Sequence, residues 1–314
     1  NVVSLHMAYS PCGSRPPSGF HTYEDTPPLF LSPIHNFWLY LVFIHWGPYA
    51  VPADESEWYP RFMYQREHPV FQRHRERWGD TFGYKDFIPM FGGENFDPKA
   101  WVDLIVEAGA KYVVPVAEHH DGFAMYDTPY TRWNAAKMGP RRDVICDLQQ
   151  AARAAGLYFG LSSHRAYNWR YFIYEDAFDT ADPAYADLYS PARAVDQPAT
   201  LAWLSDWHSR TRELIDRFDP DLLWFDFGWH EAEFTPYRPE IAAYYYNRAL
   251  EQERGVVLTY KDMFPDGTAV YDVERGKLSG IREDYWQTDT SVSYKSWCYI
   301  DRRPLRSIKF CLSL

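Results

Sequence analysis

At 314 residues the chain can bury one large core. Its 32 basic and 43 acidic residues leave a formal charge of −11, with no Lys/Arg block, which argues against nucleic acid or an anionic membrane as the main partner. Cys12, Cys146, Cys298 and Cys311 lack metal-ligand spacing and read as ordinary thiols, and residues 1–28 show no secretory signal pattern.

Residues 1–33 carry six prolines with Gly and Ser between them and read as an irregular leader, leaving 34–314 as one domain. The apolar run Leu29–Trp46 is interrupted by Pro33, His35, Asn36 and His45, so it reads as a buried strand with its approach rather than a membrane span. The strand proper is expected over Leu39–Trp46. Asp97-Pro98 then caps a helix whose Trp101, Leu104, Ile105 and Ala108 share one face, and Gly109 stops it. Tyr112–Val116 follows as a sealed strand. A helix over about Val144–Ala155 ends at Gly156 and leads into Leu157–Ser162.

Trp203, Leu204, Trp207, Leu214, Ile215 and Phe218 mark a third helix, broken at Asp219-Pro220 before the buried strand Leu222–Asp226. Pro239 opens a fourth helix, Gly255 closes it, and Val256–Tyr260 follows. Repeated helix, stop and short apolar strand imply a parallel sheet with right-handed crossovers. More than five such strands with polar carboxyl ends favour an α/β fold of the (β/α)8-like TIM-barrel type.

Those polar ends carry the chemistry. Glu118-His119-His120-Asp121-Gly122 emerges directly after Tyr112–Val116, at the end of the strand where parallel α/β folds bind ligands. Asp226 follows an apolar strand beside Trp224, the rigid mounting that a nucleophilic carboxylate needs, though an aspartate there can equally cap a turn. Glu274, in Tyr271–Gly276, offers a second carboxylate; alone it reads as a surface ion pair with Arg275, and only the pairing with Asp226 points to glycoside hydrolysis.

His45, His119, His120 and His164 all fall near strand ends. Neutral imidazoles there could bind sugar hydroxyls, or hold zinc with Glu118 or Asp121; the spacing matches no zinc motif, and the expectation is no metal. Glu57-Trp58-Tyr59 pairs a hydroxyl-binding carboxylate with a stacking ring, or simply packs its rings. The 18% aromatic content suits either a large core or a sugar-stacking cleft. Arg141-Arg142-Asp143 reads as a loop anchor with Asp143 as N-cap.

Taken in order, Phe43-Ile-His-Trp-Gly47, Glu57-Trp-Tyr59, Phe96-Asp-Pro98…Trp101, Ala108–Tyr112, His119–Phe123, Trp133-Asn134, Gly139–Asp143, Leu223–Asp226 and Trp286–Ser291…Ser296-Trp297 resemble the α-L-fucosidases of glycoside hydrolase family 29. The resemblance spans about residues 42–300. It implies a (β/α) barrel and retaining hydrolysis of terminal α-L-fucosides through a covalent fucosyl-enzyme, acting on a fucosylated oligosaccharide or glycoconjugate without cofactor, nucleic acid or membrane. Carried over by position, it puts the nucleophile on Asp226 and the acid/base on Glu274, with Glu57 and Glu283 in reserve. Substrate contacts fall on His45, Glu57, Trp58, His119, His120, Trp224 and Lys261, and His164 replaces a tyrosine-containing stretch of many relatives.

The chain departs from the family at Pro33–Val42, at Cys298 in place of a glycine, and after Tyr299, where the last barrel strand and a β-sandwich are expected and absent. The barrel is therefore expected to be incomplete at its C-terminal end, with an exposed strand edge. A catalytically impaired, fucose-binding remnant is the alternative reading. The expected compartment is cytoplasmic, or secreted or lysosome-like if an N-terminal segment is missing.

Overall fold

Four of the parallel strands form where an apolar run follows a helix stop. Asp97 caps the helix Pro98–Glu107, its carboxylate accepting the Ala100 N–H at 3.0 Å, and Pro98 occupies the first turn, where its missing N–H costs nothing. Gly109, at φ 81°, then turns the chain into the strand Tyr112–Glu118. The unit repeats with Asp143 capping Val144–Ala154 (2.9 Å to the Cys146 N–H) and Gly156 ahead of Tyr158–Ser163. The helices Leu201–Phe218 and Tyr237–Glu251 precede Leu222–Phe225 and Val257–Tyr260 in the same way.

The computed structural model describes residues 41–301 apart from 195, 262, 266 and 281–283, and the backbone of residues 3–9, 39 and 40. Its strands are β1 (Val3–Tyr9), β2 (Leu39–Ile44), β3 (Tyr112–Glu118), β4 (Tyr158–Ser163), β5 (Leu222–Phe225), β6 (Val257–Tyr260), β7 (Val270–Glu274) and β8 (Trp286–Ser291). Neighbours β2 to β8 pair in parallel, and the eight strands close into a barrel.

The closing element corrects two expectations. Residues 3–9, read as irregular leader, form β1, which runs antiparallel to β2 (Val3 opposite Ile44) and to β8 (Ser4 opposite Ser291). The barrel thus has seven parallel strands, as an incomplete (β/α)8 arrangement requires, but the expected open edge between β8 and β2 is filled by β1. Ladder hydrogen bonds satisfy both edges there.

Strand alternation divides the core in two. Leu41, Phe43, Tyr112, Val114, Val116, Leu222 and Trp224 pack inside the barrel. Val42, Ile44, Val113, Leu223, Phe225 and Leu258 face the helices, where Trp203, Leu204, Trp207, Leu214, Ile215 and Phe218 meet them in one larger cluster. All six residues of that third-helix stripe are buried, as their spacing predicts. The stripe on Pro98–Glu107 is displaced: Val102 and Ile105 are buried, while Leu104 is 63% exposed. The fourth helix begins at Tyr237, two residues before Pro239. No described helix is long and apolar enough to cross a membrane. Glu283, most of Pro33–Val42 and residues 302–314 lie outside the described residues.

Candidate active site

Every parallel strand delivers chemistry at its carboxyl end. His45 follows β2, His119 and His120 follow β3, His164 follows β4, Asp226 follows β5, Lys261 follows β6, Glu274 ends β7, and Asp289 lies within β8. These eight residues line one pocket together with Glu57, Trp58, Trp224, Phe227 and Trp297. The ten residues expected to catalyse or to touch the sugar are all among them; Glu118 and Asp121, the optional zinc carboxylates, are not. A larger groove of about 330 Å³ opens beside Trp46, Phe91, Phe96 and Trp101, but among the described residues Glu94 is the only acidic group on its walls and no imidazole or Lys reaches it. The reactive groups converge in the smaller pocket.

Alternation explains the convergence. Leu222, Trp224 and Asp226 point inward in register, as do Val257, Thr259 and Lys261. At β3 the register shifts between Val116 and Glu118, and Glu118 turns to Arg165 (2.5 Å) and Arg210 (3.3 Å). Glu118 is thereby part of a buried ion-pair network and does not line the pocket.

Asp226 is 6% exposed. Its Oδ2 lies 3.1 Å from His120 Nε2 and 3.0 Å from His164 Nδ1. Its Oδ1 has no hydrogen-bond partner among the described residues and faces the Lys261 ammonium at 3.8 Å. Burial pushes this carboxyl up, but His164, Lys261 and the His120 hydrogen bond outweigh it and hold the group well below the usual carboxylate range. The carboxylate is therefore ionised, with Oδ2 turned to the imidazoles and Oδ1 to the ammonium, free of hydrogen bonds among the described residues.

The imidazoles are layered behind it. His120 Nδ1 donates to the His164 carbonyl at 2.6 Å, which fixes its ring toward Asp226. His119 stacks on His164 at 4.8 Å, and His45 stacks on Phe43 at 4.7 Å. Burial, then the neighbouring His120, His164 and His45, lower His119 well below its ordinary value. Burial likewise lowers His164 against the pull of Asp226. Both rings are therefore neutral near pH 7 and can donate and accept hydrogen bonds.

Two buried trios, His45/His119/His164 and His120/His164/Asp226, bring possible ligand atoms within 4.8 Å of one another. In the second, a cation would share Asp226 with the Lys261 ammonium, so charge opposes a metal there.

Lys261 is the hub of the opposite wall. Its Nζ lies 2.6 Å from Glu274, 3.2 Å from Asp289, and 3.8 Å from both Asp226 and Asp272. Burial lowers an ammonium, but these four carboxyls, Asp289 first, hold it well above its ordinary value. Glu274 is the most open of them, with its side chain 42% exposed. Across the pocket Glu57, 3% exposed, accepts the Trp297 N–H at 2.8 Å and the Ser296 hydroxyl at 3.3 Å, and burial raises its carboxyl above the usual range. Trp58 is half-buried and lies nearly parallel to Phe227, centroids 6.0 Å apart. Trp224 is buried beneath the site, edge-on to Phe43, with Lys261 5.1 Å over its ring.

Asp289, Asp272 and Phe227 were not singled out from the sequence. Asp289 stands in Trp286–Ser291, a barrel strand unusually rich in polar residues. Its inward partner Gln287 reaches Asp272 at 2.9 Å, so period-2 alternation in β8 was the available signal.

Residues 41–310 match the family model described as Alpha-L-fucosidase. The chain is 29% identical to tissue alpha-L-fucosidase of Rattus norvegicus over 290 residues, covering 89% of this chain and 59% of the relative. It is 30% identical to the tissue alpha-L-fucosidase of Homo sapiens over 266 residues, covering 82% and 53%. The crystal structure of Thermotoga maritima alpha-fucosidase in complex with fucose is similar at a TM-score of 0.65 and 27% identity, over 87% of this chain and 62% of that one. The chain thus spans little more than half the length of these curated relatives.

Proposed function

The chain belongs to the alpha-L-fucosidase family, and from that premise we propose that it is a retaining glycosidase that hydrolyses terminal α-L-fucosides of fucosylated glycans. The observation that carries this reading is the state of Asp226. A nucleophilic carboxylate must be ionised, oriented and free of hydrogen bonds at one oxygen. Asp226 has Oδ2 beside two imidazoles and Oδ1 without a hydrogen bond among the described residues, facing the Lys261 ammonium at 3.8 Å.

In this reading Oδ1 attacks the anomeric carbon while Glu274 gives a proton to the departing glycosidic oxygen. Water then attacks the fucosyl ester, giving its proton back to Glu274 as the ester bond breaks and Asp226 is regenerated. Both carboxylates contact one ammonium, so their nearest oxygens are no more than about 6.4 Å apart, short of the roughly 6.5–9.5 Å that inverting enzymes need for an intervening water. His45, His119, His164 and Glu57 line the walls as hydroxyl-binding groups, His120 lines the pocket with both ring nitrogens engaged by Asp226 and the His164 carbonyl, and Trp58 offers an indole face to the sugar.

One observation favours a second assignment of the acid: Glu57 is the pocket carboxyl that burial raises, as a proton donor requires. Glycine replacement at each position separates the two. The true acid, once removed, slows α-L-fucosides of poorly activated alcohols far more than a dinitrophenyl fucoside.

The test of the reaction class is the anomer first released from an aryl α-L-fucoside, followed by proton NMR. α-L-Fucose before mutarotation is expected. Initial β-L-fucose would overturn retention, and calorimetric binding of L-fucose without any turnover would favour a binding remnant.

A further inference from the structure

Lys261 contacts the two carboxylates whose charges exchange during retaining hydrolysis. In the first step Asp226 loses its negative charge as its oxygen bonds to the anomeric carbon, while Glu274 becomes anionic as its proton goes to the leaving oxygen. In the second step water supplies the proton that returns to Glu274, and Asp226 recovers its charge. The net charge of the pocket is constant, but one unit moves from β5 to β7 and back. With Nζ 2.6 Å from Glu274 and 3.8 Å from Asp226, one ammonium can compensate both states with a small shift.

Such a role demands that neither carboxylate capture the lysine. Left to itself, an ammonium 2.6 Å from Glu274 would stay with that carboxylate and away from Asp226, 3.8 Å off. The structure contains a third anchor. Asp289 is 2% exposed, is directly opposite Glu274 in the β7–β8 register, and holds Lys261 at 3.2 Å. Asp272, one pleat below Glu274, is also 3.8 Å from the ammonium.

Asp272 Oδ1 accepts from Gln287 at 2.9 Å, while Asp272 Oδ2 and Asp289 Oδ1 have no conventional donor among the described residues. Burial first, then the neighbouring Asp289, raise Asp272 well above the usual carboxylate range. A proton on Asp272 directed at Asp289 accounts for both orphaned oxygens.

We propose that Asp289 is a positioning residue that holds the Lys261 ammonium between Asp226 and Glu274, so that the lysine follows the charge moved in each step without locking the acid/base in its anionic form. The inference rests on the retaining-fucosidase reading, with Glu274 as acid/base.

The experiment compares kcat/KM of wild type and Asp289→Asn on two substrates, methyl α-L-fucoside and 2,4-dinitrophenyl α-L-fucoside. The methyl substrate needs a protonated acid and the dinitrophenyl one does not. General acid catalysis contributes roughly 10²–10⁴-fold, so Asp289→Asn is expected to lose about 10²-fold on the methyl fucoside and less than about fivefold on the dinitrophenyl fucoside. Asp289→Glu keeps the charge and is expected to restore most of the ratio between substrates whatever its absolute rate; it also serves if the Asn variant fails to fold.

Equal losses on both substrates, no loss on either, or an Asp289→Glu ratio as distorted as that of Asn would overturn the positioning role alone. A wild type that turns over neither substrate would overturn the fucosidase reading and this inference with it.

Discussion

On the β2–β5 side of the barrel the inward residues are Leu41, Phe43, Tyr112, Val114, Val116, Leu222 and Trp224; on the β6–β8 side the buried groups include Lys261, Asp272, Gln287 and Asp289. Within the first side, two buried carboxyls are shifted in opposite directions. Asp121, just past β3, has Tyr84 O–H and the Phe123 N–H (3.1 Å) as partners, and burial pushes it up to about 7. Asp226 is equally enclosed, yet it faces Lys261 and two imidazoles and is held well below the usual range. Burial alone therefore does not set the protonation state in this barrel. The apolar half supplies rigidity and low dielectric, and His164, the Lys261 ammonium and His120 together keep Asp226 charged.

The largest expected departure comes from breaking the apolar half. Phe43 is 1% exposed and carries His45 stacked at 4.7 Å, with Trp224 edge-on at 5.0 Å. Phe43→Ala is expected to destabilise the fold by about 3–5 kcal/mol in denaturant unfolding, because the rigid strands around it cannot collapse into the cavity. A loss below about 1 kcal/mol would mean that the inner cluster is loosely packed and does not mount the pocket.

A smaller effect sharpens the contrast at Asp121. Its folded value, about 7, lies above that of an unfolded carboxyl, so the folded state binds more protons between roughly pH 4 and 7. The stabilising contribution is full below roughly pH 4 and is lost as pH rises through about 7. Asp121→Asn removes this dependence. By calorimetry, the Tm of wild type should fall relative to that of the variant on going from pH 4 to pH 8. Parallel curves would show that Asp121 is ionised in the fold and that it does not differ from Asp226 as described.

Much of the site was legible because strand-end chemistry is local. An apolar run fixes a strand, the strand fixes where its last residue emerges, and His45, His119, His120, His164, Asp226 and Lys261 each follow such a run directly. Glu118 shows the limit of that logic, since the shift at Val116/Glu118 turns it toward Arg165 and Arg210. Leu104 shows another: several apolar residues shared the helix, and only packing chose Val102 and Ile105 as the buried stripe.

β1 was illegible for a different reason. Its partners are Leu39–Ile44 and Trp286–Ser291, the second nearly the whole chain away, and no local pattern in a proline-rich region announces such a pairing. Asp289 was hidden by the company it keeps. In a run of polar residues a buried carboxylate looks like any exposed one until the opposite strand brings Lys261 and Glu274 to it.

The central claim is that Asp226 Oδ1 is the attacking oxygen, and covalent trapping tests it most directly. The protein is incubated with 2-deoxy-2-fluoro-α-L-fucosyl fluoride, whose fluorine slows breakdown of the intermediate, and the adduct is located by peptide mass spectrometry. The account predicts one fluorofucosyl group, on the peptide containing Asp226 and absent from Asp226→Ala. An adduct on Glu57 or Glu274, or steady turnover without any adduct, would contradict it.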